Sequence, residues 1–160
     1  MTKNRLNNSD FIRARLTGLA ERGIVTAFRE VATGKNNTHF IFRWLLNGEF
    51  VLVFNPTKQQ LCLHNLLPRI PYRSLLDSDL RQFIREKAQP GSHAVRPVNS
   101  ELVKLCYRNR QQSVSLLISA RHGDMNDALT ALLKVTNDLF AFLGLYYVDY
   151  LYQCFDLPQE

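Results

Sequence analysis

Residues 38–64 constrain the fold more than any other part of this chain. Over 38–46, large apolar or aromatic side chains recur at every second position, and a second run rich in valine and phenylalanine covers 49–54. Asn47-Gly48 separates the two runs, and this dipeptide favours a two-residue type I′ turn because both central residues of that turn need positive φ. We therefore predict an antiparallel hairpin here, extended by a third strand that contains residues 61–63.

Helix and strand patterns continue on both sides of this hairpin. Ser, Asp and Asn side chains cap helices by accepting hydrogen bonds from free N–H groups of the first turn, and Ser74 followed by Asp77 forms an approximate capping box. Glycines at Gly23 and Gly144 are typical of helix ends or breaks. The predicted order is a helix beginning at Ser9 or Asp10 and ending before Gly23, a strand over 24–32, the hairpin strands, a helix from Ser74 to Pro90, a loop over 89–100, a hairpin over 102–109 and 113–120, a helix beginning at Asp124 that breaks at Gly144, and a tyrosine-rich tail over 146–155.

This order predicts an α+β fold, in which helices pack on an antiparallel β-sheet in the sequence α-β-β-β(-β)-α-β-β-α. We expect residues 1–8 to be disordered, because they are polar and lack an apolar pattern, and residues 9–160 to form a single domain. In the second hairpin, serines alternate with Val114, Leu116 and Ile118, which predicts one buried and one solvated face.

Cysteine usage and the ends of the chain bear on its compartment. Three cysteines, Cys62, Cys106 and Cys154, are widely spaced and odd in number, which favours free thiols in a reducing compartment. The polar first residues do not resemble a secretory signal, and no uninterrupted apolar run reaches the roughly 18 residues that a membrane span needs. We therefore expect a cytoplasmic protein without a membrane partner.

Charge is distributed unevenly along the chain, whose net charge is +6. Residues 1–123 contain 19 basic and 8 acidic residues, whereas residues 124–160 contain 1 basic and 6 acidic residues. The two regions therefore carry +11 and −5, and they can attract each other within one chain or across a dimer. Solvated surface charge explains the same distribution.

Catalytic and metal-binding patterns are weak. The four histidines lie in different predicted elements, and although Cys62 and His64 share one face of a strand, two ligands do not make a metal site. The chain has no nucleophile elbow and no phosphate-binding glycine loop. Asp77 and Asp79 diverge on a helix, so we interpret them as first-turn carboxylates that favour the helix dipole. No cofactor is expected, and an enzyme remains possible only through a site that assembles from distant residues.

Two surfaces are candidates for binding. The last long helix is apolar over more than half of its circumference, which predicts either that it packs between the sheet and another helix or that part of its surface meets a second copy of the chain. The basic composition, with a pI near 9.5, leaves nucleic acid as an alternative partner. The residues predicted for the protein interface or dimer are Leu132, Val135, Leu139, Phe142, Tyr146 and Tyr150, and those predicted for nucleic acid are Lys104, Arg108, Arg110 and Arg121.

The order of elements resembles the type III secretion chaperone-like fold, whose members run α-β-β-β-α-β-β-α. Residues 60–64, leading through 66–68 into the helix at Ser74, look like the third strand and second helix of that fold. Residues 114–119 and the helix from Asp124 look like its last strand and last helix. The resemblance implies a small cytoplasmic homodimer that binds an extended client segment along a sheet-and-helix surface without catalysis. This chain differs from typical secretion chaperones in being basic and in its tyrosine-rich tail.

Overall fold

A computed structural model of the protein describes residues 9–33, 37–88, 98–99, 102–121 and 124–155. The predicted disordered segment 1–8 and most of the predicted loop 89–100 therefore lie outside the described residues. The elements are α1 (Asp10–Glu21), β1 (Thr26–Thr33), β2 (Asn37–Arg43), a 3₁₀ turn (Leu45–Asn47), β3 (Glu49–Asn55), β4 (Gln60–Leu67), α2 (Leu75–Ala88), β5 (Val103–Arg110), β6 (Ser113–Ala120), α3 (Met125–Tyr146) and α4 (Val148–Cys154).

The six strands form one antiparallel sheet in the order β1-β2-β3-β4-β6-β5. The predicted α+β class is confirmed, with one more strand and one more helix than the minimal order requires. Consecutive strands pair from β1 to β4 and again from β5 to β6. The connection from β4 to β5 contains α2, and β6 rather than β5 pairs with β4. The two edges of the sheet are β1 and β5.

The core lies between one face of the sheet and the four helices. Phe40, Leu52, Leu63 and Leu116 are paired in one row across β2, β3, β4 and β6, and each is fully buried. All four helices contribute buried side chains to the same core cluster as this row. We call this side of the sheet the inner face and the opposite side the outer face. Period-two alternation of the strands decides which side chains reach each face.

The first hairpin is confirmed, but its turn is longer than the two-residue type I′ turn that we predicted. β2 ends at Arg43, and five residues connect it to β3. Positive φ occurs at Leu46 (54°) and Asn47 (55°), whereas Gly48 is extended with φ of −75°. Trp44, the first residue of this connection, packs its ring against the core residues Phe42 and Phe50.

β6 differs from the expectation of one solvated face. It lies between two strands, and residues 114–118 are all buried. Ser115 is 4% exposed, and its hydroxyl accepts a hydrogen bond from the N–H of Asn65 at 2.9 Å. Alternation assigned the two faces of β6 correctly, but the central position in the sheet, which decides their exposure, arises from pairing between distant segments.

α3 extends through Gly144 to Tyr146, so the break that we predicted at this glycine is wrong. A helical glycine costs only about 1 kcal/mol, which packing elsewhere on the helix outweighs. The predicted cap is confirmed, because the Asp124 carboxylate accepts a hydrogen bond from the N–H of Asp127 at 3.0 Å. By length and composition alone α3 is apolar enough to cross a membrane, and nine of its 22 residues are buried in the protein.

The end of α1 at Gly23 is as predicted and can be tested by substitution. Gly23 has φ of 75°, and the N–H groups of Gly23 and Ile24 bond to the carbonyls of Ala20 and Leu19. We expect Gly23→Ala to lower the free energy of unfolding by about 1 kcal/mol, because a β-carbon disfavours the left-handed conformation. Gly18→Ala is the control, since nothing lies within 4 Å of its added carbon, and it should raise stability by about 0.5–1 kcal/mol. Urea unfolding measures both, and a loss of stability in both variants would contradict this interpretation.

Candidate functional site

The regular edge of the sheet is the strand β5. Val103–Arg110 pairs with β6 over eight consecutive positions without an irregularity. The opposite edge, β1, contains a register shift between Thr26 and Arg29, where Ala27 has φ of 53°. Bulges disrupt the outward hydrogen-bonding groups of an edge strand and so protect it from further pairing. Among the residues that the structure describes, no strand pairs with the edge of β5 that points away from β6. Alternate residues of β5 therefore offer N–H and C=O groups to a partner along this edge.

Basic side chains line β5 on the outer face. Lys104, Arg108 and Arg110 occupy three of the four outer-face positions of the strand, and successive positions on one face lie roughly 6.8 Å apart. Arg121 lies beside the same end of the strand as Lys104, since its N–H bonds to the carbonyl of Leu102 at 2.6 Å. The structure therefore brings together the four cations that the sequence suggested for nucleic-acid binding.

An apolar row continues from these cations across the outer face. The core cluster does not include its members, so it is a separate surface from the helix-packed side. Burial raises the pKa of the Cys62 thiol in this row, against a smaller opposing effect of the Arg108 guanidinium. Leu117 in the row is 5% exposed, and Val31 at the far end is 42% exposed. The residues paired in the row are Val31, His39, Val53, Cys62, Leu117 and Cys106.

On the inner face, a pocket of about 260 Å³ lies between β5 and α2. Leu105 and Tyr107 of β5 form one wall, and the other wall, from α2, consists of Arg81, Ile84, Arg85 and Ala88. The guanidinium carbon of Arg81 lies 4.8 Å from the centroid of the Tyr107 ring. A strand added to β5 would place alternate side chains beside this pocket, which offers apolar walls and two cations.

Asp77 fixes the geometry of this pocket. It is 1% exposed, and it accepts hydrogen bonds from the Arg73 N–H (2.9 Å), the Tyr107 hydroxyl (2.7 Å), the Asn109 amide (3.0 Å) and the Arg81 guanidinium (3.3 Å). Burial alone would raise the pKa of Asp77, but these hydrogen bonds together hold it below its usual range. Burial and the bond to Asp77 raise the pKa of Tyr107.

Sequence reasoning found the cap at this site and missed the rest. The N–H of Asp77 bonds to the Ser74 hydroxyl at 3.2 Å, as the capping box predicts. Asp77 lies in the first turn of α2, as we predicted, but its side chain is also buried and joins α2 to β5. Its partners Tyr107 and Asn109 are more than 29 positions away in sequence, and no short-range pattern signals such pairs.

The structure does not add a metal or catalytic arrangement to the weak sequence signals. Cys62 and His64 lie on the outer face, as expected, where they pair with Val53 and Val51. In the described part of the chain, no three His, Cys, Asp or Glu side chains converge as metal ligands. The thiol of Cys62 has a raised pKa, which disfavours the thiolate that a nucleophile or metal ligand requires.

The residues predicted for a protein interface on the last helices are mostly internal. Leu132, Val135 and Leu139 are at most 1% exposed, and Tyr150 is 9% exposed, with its hydroxyl donating to the Pro68 carbonyl at 2.6 Å. A single copy of the chain therefore already covers four of the six predicted residues. Phe142 is partly buried and Tyr146 is 69% exposed, so these two of the six predicted residues keep apolar surface at the end of α3.

No family model, no curated protein and no solved structure matches this chain, so its function has to be argued from its own residues.

Proposed function

We propose that this protein is a non-enzymatic protein-binding module that takes an extended acidic segment of another protein as a seventh strand on β5. The observation that carries the proposal is the regular, unbulged edge of β5, which is lined by cations on both sides. Strand addition supplies affinity through main-chain hydrogen bonds, and pockets for alternate side chains supply specificity.

Charge selects the kind of segment. Lys104, Arg108 and Arg110 lie on the outer face of the sheet along β5, and Arg81 and Arg85 lie beside β5 on the inner face. Asp77, the buried carboxylate beside Arg81, already accepts hydrogen bonds from four donors. Acidic side chains on the client would therefore be complementary on both faces.

The same charges disfavour pairing between two copies through this edge. Two β5 strands side by side would place lysine and arginine opposite lysine and arginine, and like charges in direct cross-strand positions destabilise pairing. Charged residues, lysine above all, are a common means of preventing edge-to-edge association. The resemblance to the secretion chaperone-like fold also supports binding of an extended client, and the homodimer and the cytoplasmic location that it implies remain predictions.

The test uses a synthetic eight-residue peptide in which glutamate alternates with valine. We expect it to bind, and to slow hydrogen exchange of alternate backbone amides of β5. Lys104→Glu/Arg110→Glu should weaken binding at least about tenfold, because both side chains are exposed and face the peptide. The matched control, Arg22→Glu/Lys134→Glu, makes the same change in net charge at two exposed positions, one just after α1 and one on α3, and should leave binding unchanged.

Three outcomes would overturn this proposal. The first is absence of binding to the glutamate peptide, and the second is equal binding of a peptide with lysine in place of glutamate. The third is binding without any change in amide exchange on β5, which would place the peptide elsewhere.

Nucleic acid is the second candidate, and the alignment of Lys104, Arg108 and Arg110 favours it. Against it, the outer face carries histidines but, in the described strands, no Phe, Tyr or Trp on which a base can stack. If three or four phosphates bind these cations, the affinity for single-stranded DNA should fall with a log–log salt slope of about −2 to −3. Loss of that slope in Lys104→Glu/Arg110→Glu would support this candidate, and absence of DNA binding at low salt would remove it.

A further inference from the structure

A groove of about 560 Å³ lies between α2 and the C-terminal end of α3, away from β5. Four aromatic rings and two carboxylates line it, together with Leu75 and Gln82. We call it the aromatic groove, and its chemistry comes from Phe83, Phe142, Tyr146, Tyr147, Asp79 and Glu86.

The rings of the aromatic groove form one connected cluster around Phe142. Its ring centroid lies 5.0 Å from that of Phe83, 5.2 Å from that of Tyr146 and 6.2 Å from that of Tyr147. Tyr146 is 69% exposed and Leu75 at the margin is 73% exposed. Packing within one copy therefore positions the cluster but leaves much of its apolar area in water.

Negative charge lies beside these rings. The Tyr147 hydroxyl donates a hydrogen bond to the Asp79 carboxylate, and this bond raises the pKa of Tyr147 to about 12. Glu86 accepts a hydrogen bond from the Gln82 amide at 3.0 Å. Among the described residues that line the groove, none is lysine or arginine, so these residues contribute carboxylates and rings to the lining but no cation.

The protein already places one of its own cations on a ring of this cluster. The Lys87 ammonium lies 5.5 Å from the centroid of the Phe83 ring, while it pairs with Asp138 at 2.8 Å. Ammonium and guanidinium groups within about 6 Å of an aromatic face are attracted by the electron density of that face. The same chemistry is available on the exposed rings of Tyr146 and Phe142.

We propose that the aromatic groove binds a lysine or arginine side chain presented by a segment of another protein. This second binding site is independent of the proposed site on β5, and it selects the opposite charge. Exposed aromatic faces attract the cation, Asp79 and Glu86 complement its charge, and the rings cover the apolar stem of the side chain, which packs on aromatic surface.

The test compares three short peptides that differ only in their central residue: lysine, trimethyl-lysine, and norleucine, which is uncharged and similar in shape to the lysine stem. Titrations are followed by NMR shifts of the backbone amides of residues 82–86 and 142–147. We expect the lysine and trimethyl-lysine peptides to shift these amides, and norleucine to bind at least about tenfold more weakly.

Two protein variants locate the effect. Tyr146→Ser should weaken binding of the lysine peptide at least about fivefold, because it removes the most exposed ring of the groove. Tyr152→Ser is the matched control, since this tyrosine is 50% exposed on α4 and does not line the groove, and it should leave binding unchanged. Asp79→Asn/Glu86→Gln should weaken binding of the lysine peptide by a similar factor.

Each contrary result overturns the proposal. Norleucine binding as tightly as lysine would make this a purely apolar surface. A dimer in solution that Tyr146→Ser dissociates would show that a second copy covers the groove. No shift with any peptide at 10 mM would show that the groove does not bind a cationic side chain. Neither the glutamate peptide nor the β5 variants enter these outcomes, so the two binding proposals fail separately.

Discussion

Replacing Lys87 by methionine is expected to lower the free energy of unfolding by about 3–5 kcal/mol, one of the two largest effects that we expect in this chain. The Lys87 side chain is 4% exposed and its ammonium lies 2.8 Å from the Asp138 carboxylate, whose side chain is 11% exposed. The pair joins α2 to α3. Removing the lysine takes the ammonium partner away from a carboxylate in a site with little water, and the loss of this charge pairing dominates the cost.

The double variant Lys87→Met/Asp138→Leu separates this cause from lost packing. In this variant neither member of the Lys87–Asp138 pair is left without the other, and replacing a buried ion pair by apolar residues is often neutral or stabilising. We therefore expect the double variant to recover most of the stability lost in Lys87→Met, as measured by urea unfolding. If Lys87→Met does not fold, Asp138→Leu supplies the other side of the cycle. A double variant as unstable as the worse single variant would contradict the argument, because it would show that shape rather than charge matters.

The second large effect is expected at Asp77. Asp77→Ala removes the acceptor of the Tyr107 hydroxyl and of the Arg73 N–H, and it removes one of the two acceptors of the Asn109 amide, which keeps its bond to the Ile70 carbonyl. Each unpaired buried group costs about 1–3 kcal/mol. We expect a loss of about 3–5 kcal/mol. The control is Asp149→Asn, which removes the same charge from an exposed position of α4 and should change stability by less than about 0.5 kcal/mol.

Asp77 also gives a pH signature that a purely steric role would lack. Hydrogen bonds hold its pKa in the folded protein below the unfolded value of about 3.9. The unfolded chain therefore takes up this proton first as the pH falls, and the stability that Asp77 contributes is complete above about pH 4 and is lost at lower pH. Asp77→Asn removes the titration, so the stability difference between wild type and variant should shrink between pH 5 and pH 2. A difference that stays constant over this range would contradict the role of the ionised carboxylate.

Local patterns in the sequence predicted most of the fold. Alternation identified the strands of both hairpins, Ser74 and Asp124 marked two helix starts, and Gly23 marked a helix end. These signals work because each depends on neighbours within about four residues, through one backbone conformation or one cap. The two-residue turn expected at Asn47-Gly48 and the break expected at Gly144 were wrong. At Gly144 the local preference against helix is only about 1 kcal/mol, which packing of the rest of the helix outweighs.

The candidate sites were only partly predictable. Sequence reasoning named Lys104, Arg108, Arg110 and Arg121 as possible partners of an anion, and their common location along an edge strand came from the pairing of β5 with β6. It named Phe142 and Tyr146 as interface residues, but it also named four residues that the core covers. Composition shows that a helix has surplus apolar area, whereas the fold decides which part of that area stays exposed.

The sequence by itself determined most element types, their order and the two faces of β6, because these follow from periodicity and short-range hydrogen bonding. Only the tertiary structure decided that β6 is central and β5 is an edge, that Asp77 meets Tyr107 and Asn109, and that the aromatic groove combines two helices. These features depend on contacts between segments tens of residues apart, whose free energies arise when the whole core closes.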